Sequence, residues 1–184
     1  MSPAFNHANI KRAATILRAG GVVAYATEYC FGLGCDPRDH GAVQRILRIK
    51  RRPPSKGLIV LAGEIEQLAP YVDDIPKNVR ATWPGPHTWL LPRRPEMPGW
   101  IAGAHASVAV RVTAHAQAAA LCRAAGMAII STSANRAGQK PLRTYRDVLQ
   151  RLGKEVDYVL PGDVGELAAP TPIRDAASGA SIRS

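Results

Sequence analysis

The sequence predicts an α/β fold in one domain, on three observations. Short apolar runs alternate with segments of helical periodicity along the whole chain. No internal repeat or low-complexity linker interrupts that alternation, and 184 residues is the size of one ordinary domain, taken here as 1–184 with its informative core at about 10–175.

The elements follow in order. Ile10, Ala13, Ala14 and Leu17 recur at i, i+3, i+4 and i+7 before Gly20-Gly21, which predicts an amphipathic helix with a glycine stop. "VVAYA" reads as a buried strand, and "TEYCFGLGCDP", punctuated by two glycines and a proline, as a loop. A helix from about Asp39 to Lys50 turns Val43, Ile46 and Leu47 inward, and Pro53-Pro54 cannot continue it. "LIVLA" is the next strand and "EIEQLAPYV" a short helix, while "HTWLL" and "SVAVRV" are strands separated by the Pro- and Gly-rich "PRRPEMPGWIAGAHA". "AHAQAAALCRAAG" reads as a helix, "MAIISTS" as a strand, "ANRAGQKPLR" as a loop and "TYRDVLQRLG" as a helix capped by Thr144. "VDYVL" and "TPIRD", joined by "PGDVGELAAP", close the chain as edge strands.

Composition excludes several classes. Hydrophobic residues are 46% of the chain, too many for global disorder. No run of about 18 apolar residues exists, and the N-terminus lacks a signal-peptide pattern, so a soluble cytoplasmic protein without membrane contact is expected. Cys30, Cys35 and Cys122 are odd in number and lack CxxC spacing, which reads as small buried hydrophobes rather than a disulfide or zinc framework. The five histidines are scattered and read as structural or exposed, and no phosphate-loop, dinucleotide-fold or metalloprotease motif is present.

The net charge of +10 is the strongest bulk signal, and it is concentrated. Arg38 to Lys56 holds seven cations against one anion, and Arg136 to Lys154 six against one. Charge focused in this way attracts polyanions such as nucleotides or RNA.

Chemistry therefore rests on cations and hydroxyls. In "RIKRRPPSK", Lys50 and Arg52 would project the same way from extended backbone and Arg51 the other. A guanidinium beside two ammonium groups suits a polyphosphate, though a solvated charged face is an equal reading of this loop alone. "STSANRAG" leaves the strand "MAII" carrying Ser131, Thr132, Ser133 and Asn135, polar groups at the carboxyl edge of a sheet, where α/β proteins commonly bind ligands. Taken alone it reads equally as an ordinary turn. Thr27 and Glu28 leave "VVAYA" toward a glycine-containing loop and could line a pocket. Arg111, inside an apolar strand, requires either a bound anion or an internal carboxylate.

"YATEYCFGLGCDP", "KRRPPSKGLIVL", "TWPGPHTWLLP", "SVAVRV" and "STSANRAGQKP", in that order, resemble the YrdC-like family, and more narrowly its bacterial short form, over about Ile10 to Asp175. The resemblance implies a twisted mixed sheet flanked by helices around a basic concave cavity. It further implies an enzyme that joins L-threonine, bicarbonate and ATP into threonylcarbamoyl-adenylate and pyrophosphate, with Mg2+ carried by ATP and no metal site of its own. The product would serve a partner complex that modifies tRNA beside the anticodon. The family's KxR motif falls on Lys50 and Arg52 and its SxN motif on Ser133 and Asn135, the four implied catalytic residues. These four, Lys56 and Ser131 match the ATP site, and Thr27 and Arg111 the threonine site.

Three positions depart from the family pattern. Ala26 replaces a proline and Tyr29 a threonine, which reshapes one side of the pocket. Pro172 replaces a residue able to donate a backbone hydrogen bond, so its segment is left out of the expected site. The rival reading is a module holding structured RNA in a basic groove. Exposed cations such as Arg143, Arg146 and Arg151 could also touch tRNA beside an enzymatic site, and Arg48 and Arg51 could face solvent or RNA.

Overall fold

The computed structural model describes residues 6–183. Six helices, α1 (His7–Arg18), α2 (His40–Lys50), α3 (Lys77–Arg80), α4 (Gly99–Ala102), α5 (Ala116–Ala125) and α6 (Tyr145–Leu152), accompany nine strands. These are β1 (Val23–Ala26), β2 (Phe31–Gly34), β3 (Ile59–Ala62), β4 (Thr88–Pro92), β5 (Ser107–Val112), β6 (Ile129–Ser133), β7 (Tyr158–Val159), β8 (Ile173–Asp175) and β9 (Ser181–Arg183). They form one mixed sheet in the order β7-β1-β2-β6-β3-β5-β4-β8-β9. The α/β class expected from the sequence is the one observed.

Most elements obey the local signals. Asn6, Asp39 and Thr144 accept backbone N–H groups at the starts of α1, α2 and α6, and Gly126 ends α5 in the left-handed region. The sheet carries apolar side chains on both faces. Val23, Tyr25, Leu61 and Ile129 face α1 and α5, whereas Ala24, Phe31, Val60 and Ile130 pack with Val43, Ile46 and Leu47 of α2. That alternation within each strand buries both faces.

Three expectations require correction. The segment read as the loop "TEYCFGLGCDP" contains β2, which pairs with β1 and β6. Its glycines are strand residues: a Cβ on Gly34 would lie 2.8 Å from Tyr25 Cε1 and 2.9 Å from the Ile130 carbonyl. A tyrosine ring lies across the strand, so side chains are excluded there. "TPIRD" is not an edge strand, because β9 pairs outside it. The Pro- and Gly-rich connection after β4 holds the short helix α4.

The route of the C-terminal segment positions the site. Between β7 at one edge and β8 near the other, the chain ties Gly165 N to the Thr27 carbonyl and Leu167 N to that of Glu28. It then seats Pro172, whose carbonyl accepts the Thr88 N–H.

Candidate active site

Strand pairing brings the polar residues together on one face. Leu61 pairs with Arg111, Ile59 with both Ala109 and Ser131, Leu90 with Ala109, and Gly32 with Ser133. Directly paired residues share a sheet face, so these continue the surface that α1 and α5 cover over Leu61 and Ile129. Beyond those helices the face is floored by the small residues Gly32, Ala109, Ser107, Ser131 and Ser133, and a cavity of about 340 Å³ opens above them. The cavity exists because the floor has little to fill it.

Among the described residues its wall carries four cations, Arg52, Lys56, Arg111 and Arg183, and no carboxylate. Six of the eight residues expected from the sequence line it: Thr27, Arg52, Lys56, Arg111, Ser131 and Ser133. Lys50 and Asn135 are not in the wall.

Lys50, 4% exposed, is bound beneath the loop after β6. Its Nζ donates to the carbonyl of Ser133, to the Asn135 carbonyl at 3.0 Å and Oδ1 at 3.2 Å, and reaches Ser133 Oγ at 3.5 Å. Burial, reinforced by nearby Arg52, lowers its pKa to about 8. The Asn135 amide donates to the carbonyls of Arg136 and Gln139, so its side chain shapes the loop. The spacing argument for "KRR" also changes. Arg51 is not extended but left-handed (φ 51°), and it ends α2 with its N–H on the Arg48 and Leu47 carbonyls. Lys50 is the last residue of α2 and lies on its buried side, while the left-handed Arg51 after it turns the chain away and is exposed, so helix geometry and not strand alternation separates the two.

Arg52 is half-buried and ties down its own loop, donating to the carbonyls of Lys56 at 3.2 Å and Gly57 at 3.0 Å. Its Nε is buried without a partner. Ser131 Oγ accepts the Tyr25 hydroxyl at 2.8 Å, which leaves the serine's own proton available to a ligand. Burial holds that tyrosine well above its ordinary pKa, so it stays a donor. Thr27 donates to the Cys30 carbonyl at 2.7 Å and closes a tight turn. Burial lifts the Cys30 thiol to about 11, so this wall residue stays protonated. All three cysteines are free and buried, as expected.

Arg111 was left with two possible partners, and the internal one is present. Its Nη2 lies 3.3 Å from Glu28 Oε2, with both residues buried, and Nη1 donates to Thr171 Oγ1 at 2.5 Å. Removing one member of such a pair strands the other charge and costs about 3–5 kcal/mol. The segment around Pro172, left out of the expected site, therefore belongs to it through Thr171. The missing N–H of Pro172 is immaterial, because the sheet uses its carbonyl.

A family model for Sua5, YciO and YrdC, described as telomere recombination, matches residues 15–184. The chain belongs to the Sua5/YciO/YrdC family. A relative from Alkalilimnicola ehrlichii, called threonylcarbamoyl-AMP synthase, is 56% identical over 95% of this chain and 94% of its own length. The structure of P. abyssi Sua5 complexed with L-threonine superposes with a TM-score of 0.87 at 30% identity, over 94% of this chain and 52% of that one. This chain thus spans about half of that protein. E. coli YciO superposes with a TM-score of 0.85 at 26% identity, over 97% of this chain and 90% of its own.

The Sua5/YciO/YrdC motifs thereby divide in two. Arg52 and Ser133 line the cavity, while Lys50 and Asn135 pin the loop that presents Ser133. Tyr29, expected to reshape one side of the pocket, does line it, whereas sequence reasoning missed His105, Ser107, Thr171 and Arg183 as wall residues. Thr171 was within reach, since its segment had been singled out. No local signal marks Arg183, which arrives only through the pairing of β9 with β8.

Proposed function

We propose that this chain is a threonylcarbamoyl-AMP synthase, which converts L-threonine, bicarbonate and ATP into threonylcarbamoyl-adenylate, pyrophosphate and water for modification of tRNA next to the anticodon. The observation that carries this reading is the cavity itself, with four cations, no carboxylate and the hydroxyls of Thr27, Ser131 and Ser133. Its size lies in the range of small-molecule sites.

Threonine's amine adds to bicarbonate with loss of water, giving a carbamate. A carbamate oxygen then attacks the α-phosphorus and pyrophosphate leaves. Arg52 and Lys56 neutralise the triphosphate, which brings Mg2+ with it, and Ser131 and Ser133 donate to phosphate or carbamate oxygens. Arg111 clamps the threonine carboxylate, and Thr27 accepts from the ammonium or amine. The thiol of Cys30 has no part, being protonated. Catalysis is positioning plus charge stabilisation, each oriented donor contributing about 2–4 kcal/mol.

Among the described residues no helix is long and apolar enough to cross a membrane. We place the enzyme in the cytoplasm, delivering its adenylate to a threonylcarbamoyl transferase complex. Direct contact with tRNA is proposed through the exposed Arg48, Arg51, Arg143, Arg146 and Arg151.

Pyrophosphate release measured with each substrate omitted in turn tests the assignment. Release should require threonine, bicarbonate and ATP together. Release that ignores threonine or bicarbonate would sink it, and RNA binding without turnover would favour the rival RNA-holding module.

A further inference from the structure

Glu28 stands in the wall between two cavities. Arg111 lines the cationic one, and Glu28 lines a second, more open concavity of about 570 Å³ shared with His115, Gln117, Asp163 and Glu166. The two side chains meet at 3.3 Å, with Glu28 7% and Arg111 4% exposed.

We propose that Glu28 is a positioning residue for Arg111, setting the guanidinium at the depth and angle at which it receives the substrate carboxylate. The proposal rests on the reading of Arg111 as the threonine clamp. Glu28 is itself held from several sides. Thr113 Oγ1 donates to its Oε1 at 2.6 Å, and its backbone carbonyl accepts from Leu167 N at 3.3 Å. Thr171 and Thr88 accept from Arg111 Nη1, while Glu28 faces Nη2. Arg111 Nε and Glu28 Oε2 are both buried without a hydrogen-bond partner, so the carboxylate holds the guanidinium by charge at 3.3 Å, and the N–H groups these contacts leave unused remain for a ligand.

The placement of the carboxylate behind the wall has a chemical reason. Arg52, Lys56 and Arg183 share the cavity with Arg111, and an uncompensated buried guanidinium among them would be expensive. A carboxylate facing the cavity would offset that charge but compete with the substrate anion. Glu28 offsets it from the far side, where no ligand in the first cavity reaches it.

The test measures kcat and the KM values for threonine and ATP in Arg111→Ala, Glu28→Gln and Thr113→Val, each checked by thermal unfolding. Arg111→Ala and Glu28→Gln should raise the threonine KM by about tenfold or more, with the ATP KM shifting less than about threefold. Thr113→Val retains every charge and should raise the threonine KM by an intermediate factor. If Arg111→Ala leaves the threonine KM unchanged, the clamp reading fails and this proposal with it. If Arg111→Ala raises it and Glu28→Gln does not, the clamp stands and the role of Glu28 is overturned. Equal rises in both KM values mark a merely structural role and also overturn it. Should Glu28→Gln fail to fold, the decision passes to Thr113→Val, where an unchanged threonine KM refutes the proposal.

Discussion

At the scale of single residues, Lys50 changes most in meaning. Its sequence neighbours suggested a cation reaching for phosphate, and its contacts make it the tie beneath the loop that carries Ser133. The two descriptions share a requirement for charge, because an ammonium holds several carbonyl oxygens and a neutral amine does not. Burial lowers its pKa from 10.5 to about 8, which gives two pH trends of opposite sign. Between about 8 and 10.5 the unfolded chain binds the proton that the folded one has lost, so this group's contribution to stability rises with pH there. Turnover should instead fall as pH climbs through about 8, and Lys50→Ala should be slower by roughly 100-fold with that alkaline limb gone. A pH–rate profile checks this, and wild-type rates that hold to pH 10 would refute it. Arg111 teaches a related lesson. Sequence showed that a buried arginine needs an anion, but Glu28 lies far from it along the chain and only the fold brings them together.

At the scale of elements, strong periodicity was legible and weak or non-local signals were not. α1, α2, α5 and α6 carry apolar stripes and caps that any reader of the sequence finds. β2 hid because two of its four residues are glycine, and the reason for glycine is a tyrosine on the neighbouring strand. The same geometry separates the two glycines by consequence. At Gly34 a methyl group would meet Tyr25 and the Ile130 carbonyl below 3.0 Å, so Gly34→Ala should cost about 1–3 kcal/mol. At Gly32 the nearest atoms lie 3.4 Å away, and Gly32→Ala should unfold close to the wild-type temperature. Thermal unfolding of the two variants side by side decides it, and equal destabilisation would refute the account. The end of α2 hid for another reason. Nothing in "KRR" announces that Arg51 adopts a left-handed backbone, which an arginine enters at a cost of about 1–2 kcal/mol.

At the scale of the molecule, alternation of helices and strands yielded the fold class, and ordered motifs yielded most of the cavity. The strand order could not be read, since β6 lies between β2 and β3 and β8 lies beside β4 through pairings between distant segments. A chain ending at residue 169 makes the dependence measurable. It loses Thr171, β8 and β9, leaving β4 as an edge with its backbone unpaired. Such a chain should keep much of its far-UV circular dichroism, self-associate on gel filtration and release no pyrophosphate. A monomeric, active truncation would show that the last strands are dispensable.

The strap from β7 to β8 has a consequence in time as well as in space. Ribosomal synthesis delivers Thr27 early and Arg183 last among the residues of the cavity wall, and the pairings that bring them together have high sequence separation. A nascent chain can form α1, β1 and β2 while its cavity still lacks one side. A chain released at residue 169, before β8 and β9 are made, lacks Thr171, Ile173, Ile182 and Arg183 of that wall.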